Sequence, residues 1–250
     1  LMALYKGADT AEIGPVRSAR PYFIDYVLEN DAVYAHFGHT IMAKDHINSE
    51  NIDDIDGLYL EGTVFWREKS TRNAPHNAMT SMERINNYIA SKNIRSTSTD
   101  KGFNYVVDDY DLTSETVANK LKIVYSNYHY TSYEYDAETK LYKRSMQGTP
   151  HVDAITKEQY TAKNIVITFI ENSMLNDTRD IPDKGYQKLA NIGTGKGYFV
   201  TNGKYEEITW SKSSRSAKTQ YLDLEGNEVE FNDGVTYIQI VPINQKVTFE

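Results

Sequence analysis

The sequence contains no cysteine and few tryptophan or proline residues, with 2 Trp and 6 Pro in 250 residues. The absence of cysteine excludes disulfide bonds, thiolate metal sites and a cysteine nucleophile. Long hydrophobic runs are also missing. The longest apolar segment, residues 164–170, is far shorter than the ~18–20 residues that a membrane-spanning helix requires. No signal peptide is visible, and the chain begins with a strand-like segment, 1–5, so we expect a first domain whose opening residues lie upstream.

Positive charge is scarce, because 27 Lys and Arg face 35 Asp and Glu, for a net charge of −8. This balance argues against a nucleic-acid partner and against direct attachment to anionic membranes, both of which need an excess of cations. A hydrophobic content of 40% and a charged content of 25% are typical of a folded domain with a core. We predict no cofactor, and the composition leaves the oligomeric state open.

The hydrophobic pattern changes along the chain. The first part alternates strands and helices, whereas period-2 runs and hairpin signals dominate from Leu121 onward, including the turn at Asn202-Gly203. We therefore predict an α+β fold, with a mixed α/β domain over 1–112, a smaller and mostly antiparallel β domain over 113–250, and a linker within 108–119. In the first part we predict strands over 1–5, 32–37, 58–67 and 102–107, and a polar loop over 48–56. We also predict a helix that starts near Ala19 or Pro21 and ends at 29, and a helix over 79–90 with a Thr80–Glu83 capping box.

Cationic and polar side chains cluster at the predicted starts of the two helices. A helix N-terminus offers unpaired N–H groups, and a guanidinium binds carboxylate or phosphate through two parallel bonds. This pattern predicts an anion pocket, and the alternative is that each arginine pairs with an acidic residue elsewhere in the chain. The candidate ligand-binding residues are Arg17, Arg20, His36, Arg67, Arg72, His76 and Asn77.

Two further motifs contain histidine. His36 and His39 follow a predicted buried strand, with Asp45 and His46 nearby, but their spacing fits no zinc signature, so we predict no metal site. His151 and Asp153 either form an orienting pair or satisfy backbone groups in a turn, and the turn is the favoured interpretation. The segment GTGKG at 193–197 lacks the spacing of a phosphate-binding loop, so we expect its glycines to serve a bulge or a close approach.

Long segments in a fixed order carry a family resemblance. They are EIGPVRSARPYF, DAVYAHFG and FWREKSTRNAPHN in the first half, and YSNYHYTSYEYDAETKLYKRSMQGTPHVD, GTGKGYFVTNGKYEEITWSK and NDGVTYIQIVP in the second. Over nearly its whole length the chain resembles the YerB-type candidate lipoproteins, a bacterial family of unknown function. The resemblance implies an α/β domain, a smaller β-rich domain and a lipid anchor on the outer face of the cytoplasmic membrane. The signal and the lipidated cysteine are absent from this sequence, so the anchor is an inference.

Three functions fit these observations. The first is a cell-envelope module that binds an anionic ligand or polymer, such as a peptidoglycan carboxylate or a teichoic-acid phosphate. The second is a hydrolase or transferase acting on such a polymer, with His36 or His76 as base and the arginines stabilising negative charge. The third is a structural or partner-binding protein. Because the sequence shows neither a GxSxG motif nor an evident pair of carboxylates, binding is the favoured hypothesis.

Overall fold

A computed structural model of the chain describes residues 1–7, 9–99, 102–180 and 185–250. It divides into two units of similar length. The first comprises Leu1–Lys101, Met174–Lys188 and Arg215–Lys218, and the second comprises Gly102–Ser173, Leu189–Ser214 and Thr219–Glu250. Two short segments of the C-terminal half therefore belong to the first unit. The predicted α+β class with a β-rich C-terminal part is confirmed.

The first unit contains all four helices of the described chain and a small parallel strand pair. Its elements are α1 (Pro21–Glu29), β1 (Tyr34–His36), α2 (Ile41–Ser49), β2 (Asp54–Asp56), α3 (Gly57–Leu60), β3 (Trp66–Arg67), β4 (Ala78–Met79) and α4 (Met82–Lys92). Helix α1 begins at Pro21 as predicted, because a proline in the first turn removes only an N–H that has no partner there. No helix in the described ranges is long and apolar enough to cross a membrane.

Strands β1 and β2 pair in parallel, with His36 opposite Asp56. On the other side of β1, the chain from Arg17 to Ala19 runs alongside its continuation, since Phe37 N–H donates to the Arg17 carbonyl at 3.1 Å and Ala19 N–H to the Gly38 carbonyl at 2.8 Å. The carboxyl ends of these strands lead into α2 and α3. Polar residues at the strand ends are thereby brought together at one edge.

Several local predictions for the first unit were wrong. Residues 1–5 are not part of a strand, and Leu1 and Leu4 are exposed. Residues 58–67 are split between α3 and β3, and the predicted loop 48–56 contains the end of α2 and all of β2. Ser81, not Thr80, caps α4, because the Thr80 hydroxyl donates to the Val64 carbonyl.

The second unit is built from two sheets that share a core. A sheet of six strands has the order β17-β5-β6-β7-β8 with β9 beside β7, and a sheet of five has the order β15-β14-β13-β10-β16. Their strands are β5 (Lys120–Ser126), β6 (His129–Asp136), β7 (Leu141–Met146), β8 (Thr149–Pro150), β9 (Thr161–Ala162), β10 (Asn164–Ile170), β13 (Gly193–Thr201), β14 (Lys204–Lys212), β15 (Gln220–Leu222), β16 (Thr236–Pro242) and β17 (Val247–Phe249). A separate hairpin is formed by β11 (Asn172–Met174) and β12 (Gln187–Leu189). One core cluster joins side chains of both large sheets, among them Leu121, Tyr142 and Ile165.

The predicted hairpins of the second unit are present. Thr201 pairs with Lys204 across Asn202-Gly203, whose φ values of 47° and 79° match a two-residue turn with both central residues in the left-handed region. The predicted linker, within 108–119, lies in the second unit. Leu112 is buried in a second core cluster that includes Val166 and Phe199, and Tyr110 packs against that cluster. The predicted strand over 102–107 is reduced to a single bridge between Tyr105 and Phe231.

Candidate functional site

The loop that joins β3 to β4 carries three of the seven predicted residues, Arg72, His76 and Asn77. We use the term cationic loop for Glu68–Asn77 together with Arg17, which lies against it. Arg67 pairs with Ala78 at the base of the loop, and Val16 N–H donates to the Ala78 carbonyl at 2.7 Å. These backbone bonds place the Arg17 side chain beside the residues that precede β4.

Arg17 and His76 are in direct contact. Arg17 Nη1 donates to the Pro75 carbonyl at 3.1 Å and lies 2.8 Å from His76 Nδ1. Because a guanidinium has no acceptor, His76 Nδ1 accepts this bond and the proton of the neutral ring is on Nε2. Both side chains are exposed. The pair therefore presents the remaining guanidinium N–H groups and one imidazole N–H to a ligand.

Arg72 and Arg67 differ in their partners. Arg72 immediately precedes the turn in which His76 N–H donates to the Asn73 carbonyl. It is half-buried, and within the described chain it has no hydrogen bond or ion pair. Arg67, in contrast, donates to Glu61 and to the Asn77 amide oxygen, each at 3.2 Å, and lies 4.1 Å from the centre of the Phe37 ring. Asn77 is buried and positions Arg67, and it does not begin a helix as predicted.

The one carboxylate of the cationic loop, Glu68, is engaged within the loop itself. It accepts bonds from the hydroxyl and backbone N–H groups of Ser70 and Thr71, and these bonds lower the pKa of Glu68 to about 2. Glu68 thus shapes the loop and leaves the charge of Arg17 and Arg72 uncompensated.

His36 lies in a different, buried network and is 1% exposed. Its Nδ1 donates to the Gly38 carbonyl at 2.9 Å, and its Nε2 is 3.1 Å from Asp54, which also pairs with Lys44 at 3.2 Å. Burial opposes ionisation of Asp54, but the bonds from His36 and Lys44 lower the pKa of Asp54 overall. Both ring nitrogens face oxygen atoms of this network, so His36 is not available to a ligand in solvent.

Arg20 also lies apart from the contacts of the cationic loop. Its guanidinium donates to the Ala19 carbonyl at 2.9 Å and stacks 4.7 Å from the centre of the Tyr186 ring. Of the seven predicted ligand-binding residues, the structure therefore groups Arg17, Arg67, Arg72, His76 and Asn77, and it places Arg20 and His36 with other partners.

A group suited to a metal ion does occur, although the sequence predicted none. One potential ligand atom from each of His36, His39 and Asp56 lies within 4.8 Å of the others. The Asp56 carboxylate already accepts the N–H groups of Gly38 and Leu58 and contacts His39 Nδ1, each at 2.9 Å. This carboxylate caps α3 and joins the strand ends. The other two candidates considered for a metal belong elsewhere, since Asp45 pairs with Arg179 and His46 with Arg215.

The two motifs of the second unit have structural explanations. Asp153 does not pair with His151. It accepts the N–H groups of Ile155 and Thr156 and the Tyr160 hydroxyl, and the bonds from Thr156 and Tyr160 hold the pKa of Asp153 at about 2. The glycines of 193–197 allow close approaches, because a Cβ on Gly195 would lie 2.6 Å from the Trp210 indole nitrogen. That segment borders a groove of about 590 Å³ whose described lining residues include no arginine or histidine.

The family of the chain follows from two matches that together cover most of it. The N-terminal domain of a protein of unknown function (DUF3048) matches residues 1–95, and the C-terminal domain of the same family matches residues 121–238. The chain belongs to this two-domain family of unknown function.

One relative of the chain is the candidate lipoprotein YerB of Bacillus subtilis (strain 168). The chain is 25% identical to YerB over 245 residues, which are 96% of this chain and 70% of YerB. The crystal structure of the Bacillus subtilis YerB protein superposes with a TM-score of 0.80 at 24% identity, covering 95% of this chain and 77% of that one. The resemblance seen in the sequence and the α+β fold are thus both confirmed.

Proposed function

We propose that this protein binds an anionic ligand of the bacterial cell envelope through the cationic loop, from a lipid-anchored position on the outer face of the membrane. The lipoprotein name of YerB supports the location. The arrangement of Arg17, Arg72 and His76 supports the ligand class, since arginine forks and an imidazole N–H are donors suited to carboxylate and phosphate oxygens.

One observation carries the proposal. Within the residues that the structure describes, Arg17 and Arg72 have no carboxylate partner, although the net charge of the protein is −8. Other arginines do: Arg95 pairs with Asp31 and Asp53, Arg179 with Asp45 and Asp177, and Arg215 with Asp25 and Glu50. An anion that binds these arginines would supply the negative charge that their surroundings lack.

No specific contact favours the hydrolase or transferase alternative. His36 is buried and held by Asp54, so it cannot serve as a base toward a polymer in solvent. Within the described residues, the only side chain that His76 hydrogen-bonds is Arg17, which provides neither a nucleophile nor an acid to orient the ring. The proposal is therefore restricted to binding.

The test is the retention of the purified protein on bacterial cell walls. Arg72→Ala should lower the affinity about tenfold or more, because a hydrogen bond to a charged group contributes about 1.5–3 kcal/mol. Arg72→Lys should not restore it, because an ammonium cannot make two parallel bonds. Thermal unfolding should be unchanged, since Arg72 makes no hydrogen bond or ion pair within the described residues. Lys92→Ala, which removes an exposed charge from the end of α4 in the same unit, is the matched control.

Walls with and without teichoic acid separate the two ligand sources. Binding that is lost with teichoic acid identifies phosphate groups as the ligand, and binding that persists identifies the carboxylates of peptidoglycan. If Arg72→Ala and Lys92→Ala bind the walls as wild type does, the cationic loop is not the binding site.

A further inference from the structure

Arg144 in the second unit is a buried guanidinium. It lies on β7 opposite Tyr133 of β6 and is 6% exposed. Tyr142, two residues earlier on the same strand, belongs to the core between the two large sheets, and alternate residues of a strand share a face. The Arg144 side chain therefore enters the protein interior and not the solvent.

Within the described chain, the side chains that contact this guanidinium are all neutral. Arg144 Nη1 donates to His151 Nδ1, Nη2 lies 3.5 Å from the Thr131 hydroxyl, and the guanidinium carbon is 5.5 Å from the centre of the Tyr237 ring. The Tyr133 hydroxyl also hydrogen-bonds with the guanidinium, and burial raises the pKa of Tyr133, so its phenol stays uncharged. Within the described chain, no carboxylate lies within ion-pair distance of Arg144.

The donors of Arg144 are also incompletely used. A guanidinium has five N–H groups, and the buried Nε of Arg144 has no hydrogen-bond partner. Buried charges in proteins are normally paired. Lys163 of the same unit shows the usual solution, since this buried ammonium lies 2.8 Å from Asp109. Arg144 carries a buried positive charge and an unused N–H donor, but within the described chain it has no carboxylate partner like Asp109.

His151 connects this interior charge to the surface. The short strands β8 and β9 pair with β7 on either side of Arg144. Between them, His151 N–H donates to the Arg144 carbonyl and Arg144 N–H to the Tyr160 carbonyl. The His151 ring is half-buried, and because Nδ1 accepts from Arg144, its Nε2 carries the remaining proton. Burial and the charge of Arg144 lower the pKa of His151, which keeps the ring neutral.

We propose that Arg144 and His151 form a binding site for one small oxyanion group, a carboxylate or a phosphate, which supplies the missing negative charge. The anion accepts the unused Nε–H of Arg144, and the His151 ring, which contacts the same guanidinium through Nδ1, lies next to it and senses its charge. This site uses a different unit from the cationic loop and does not depend on it.

The test is an NMR titration of the His151 ring in the full chain with sodium acetate and, separately, sodium phosphate, at constant ionic strength set with sodium chloride. The titration is repeated in Arg72→Ala, so that anion binding at the cationic loop does not contribute. We expect a saturable shift of the His151 resonances in both proteins. Arg144→Met should weaken binding at least about tenfold, as expected for loss of a charge-assisted bond. The stronger of the two anions identifies the group that the site accepts.

Three results would overturn the proposal. The first is a His151 resonance that does not move with either anion in wild type, which would make Arg144 a structural cation held by its ring contact. The second is an equal affinity in Arg144→Met, and Arg144→Lys replaces that variant if it does not fold. The third is loss of the His151 response in Arg72→Ala, which would attribute the effect to the cationic loop. If the cationic loop does not bind cell walls, the result of the His151 titration is unaffected.

Discussion

At the scale of single residues, one contact recurs with different surroundings. Three arginines each donate to the Nδ1 atom of a histidine: Arg17 to His76, Arg144 to His151 and Arg215 to His46. Only the third pair is completed by carboxylates, with Asp25 at 2.7 Å and Glu50 at 3.1 Å. The same contact is thus part of a closed ion-pair network in one place and leaves a net positive charge in two others. The two open pairs are those for which we propose ligands.

The buried His36 should be a stabilising residue, and the exposed His76 should not. His36→Ala removes the hydrogen bonds to the Gly38 carbonyl and to Asp54, which keeps only Lys44, and a buried polar group left without its partner costs about 1–3 kcal/mol. His76→Ala should change stability by less than about 0.5 kcal/mol, because exposed substitutions rarely do more. Urea unfolding of the first unit can be followed by Trp66 fluorescence in a Trp210→Phe background. Equal stability of the two variants would contradict the assignment of His36.

The sequence predicted the residues of the cationic loop better than the residues of the network around His36. Arg17, Arg72 and His76 could be found because cations beside a predicted turn or helix start are visible in a short window. Asp54 and Asp56 were missed, because their importance depends on the parallel register that sets His36 opposite Asp56. That register joins residues 20 positions apart through tertiary packing, and neither segment contains a local signal for it.

At the scale of secondary-structure elements, a strong local sequence signal was sufficient to predict where an element begins or turns, and a weak signal was not. Pro21 predicted the start of α1, and Asn202-Gly203 predicted the β13–β14 turn. Helix α3 was missed, since its four residues follow the strand-like segment Asp54–Asp56 and are capped by Asp56, which accepts the Leu58 N–H. The predicted Thr80 cap failed because a neighbouring carbonyl, that of Val64, competes for the hydroxyl. In both cases tertiary contacts overrode the local pattern.

Gly197 of β13 should be intolerant of any side chain. A Cβ at this position would lie 2.2 Å from the backbone oxygen of Ile167 on β10, which cannot move without separating the strands. Gly197→Ala should therefore destabilise the second unit by about 1–3 kcal/mol or more, as overpacking does. Thr194→Ala, at an exposed position of the same strand, is the control. Unfolding followed by Trp210 fluorescence in a Trp66→Phe background measures both, and a stable Gly197→Ala would refute the close approach.

At the scale of the whole molecule, the family matches and the structure divide the chain differently. The first matched domain ends at residue 95 and the second begins at residue 121, which agrees with the change in hydrophobic pattern at Leu121. The residues between them could not be assigned from composition. Leu112 and Tyr110 pack in the second unit although the surrounding sequence is acidic, and Phe103 stacks on Phe231 at 4.6 Å. Burial of these few apolar residues decides the boundary.

Mild acid should destabilise the folded chain through its buried histidines. Burial and Arg215 lower the pKa of His46, and burial and Arg144 lower the pKa of His151, below the 6.5 of the free side chain. Below about pH 6.5 the unfolded chain therefore binds more protons than the folded chain. The contribution of these histidines to the free energy of unfolding is complete above about pH 6.5 and is lost as the pH falls below it. Urea midpoints should drop between about pH 7.5 and 5.5. The decrease in urea midpoint should be smaller in the His46→Gln/His151→Gln double variant. An unchanged decrease would show that other groups cause it.

The assignment of residues 215–218 to the first unit has a consequence for biosynthesis. Asp25 is 5% exposed and takes its charge partner, Arg215, from 190 positions further along the chain. A nascent chain emerges from its N-terminus, so Asp25 and Glu50 must wait for this partner until most of the second unit has been made. The half of the protein that is synthesised first is therefore completed late, and a chain halted before Arg215 retains a buried carboxylate without its cation.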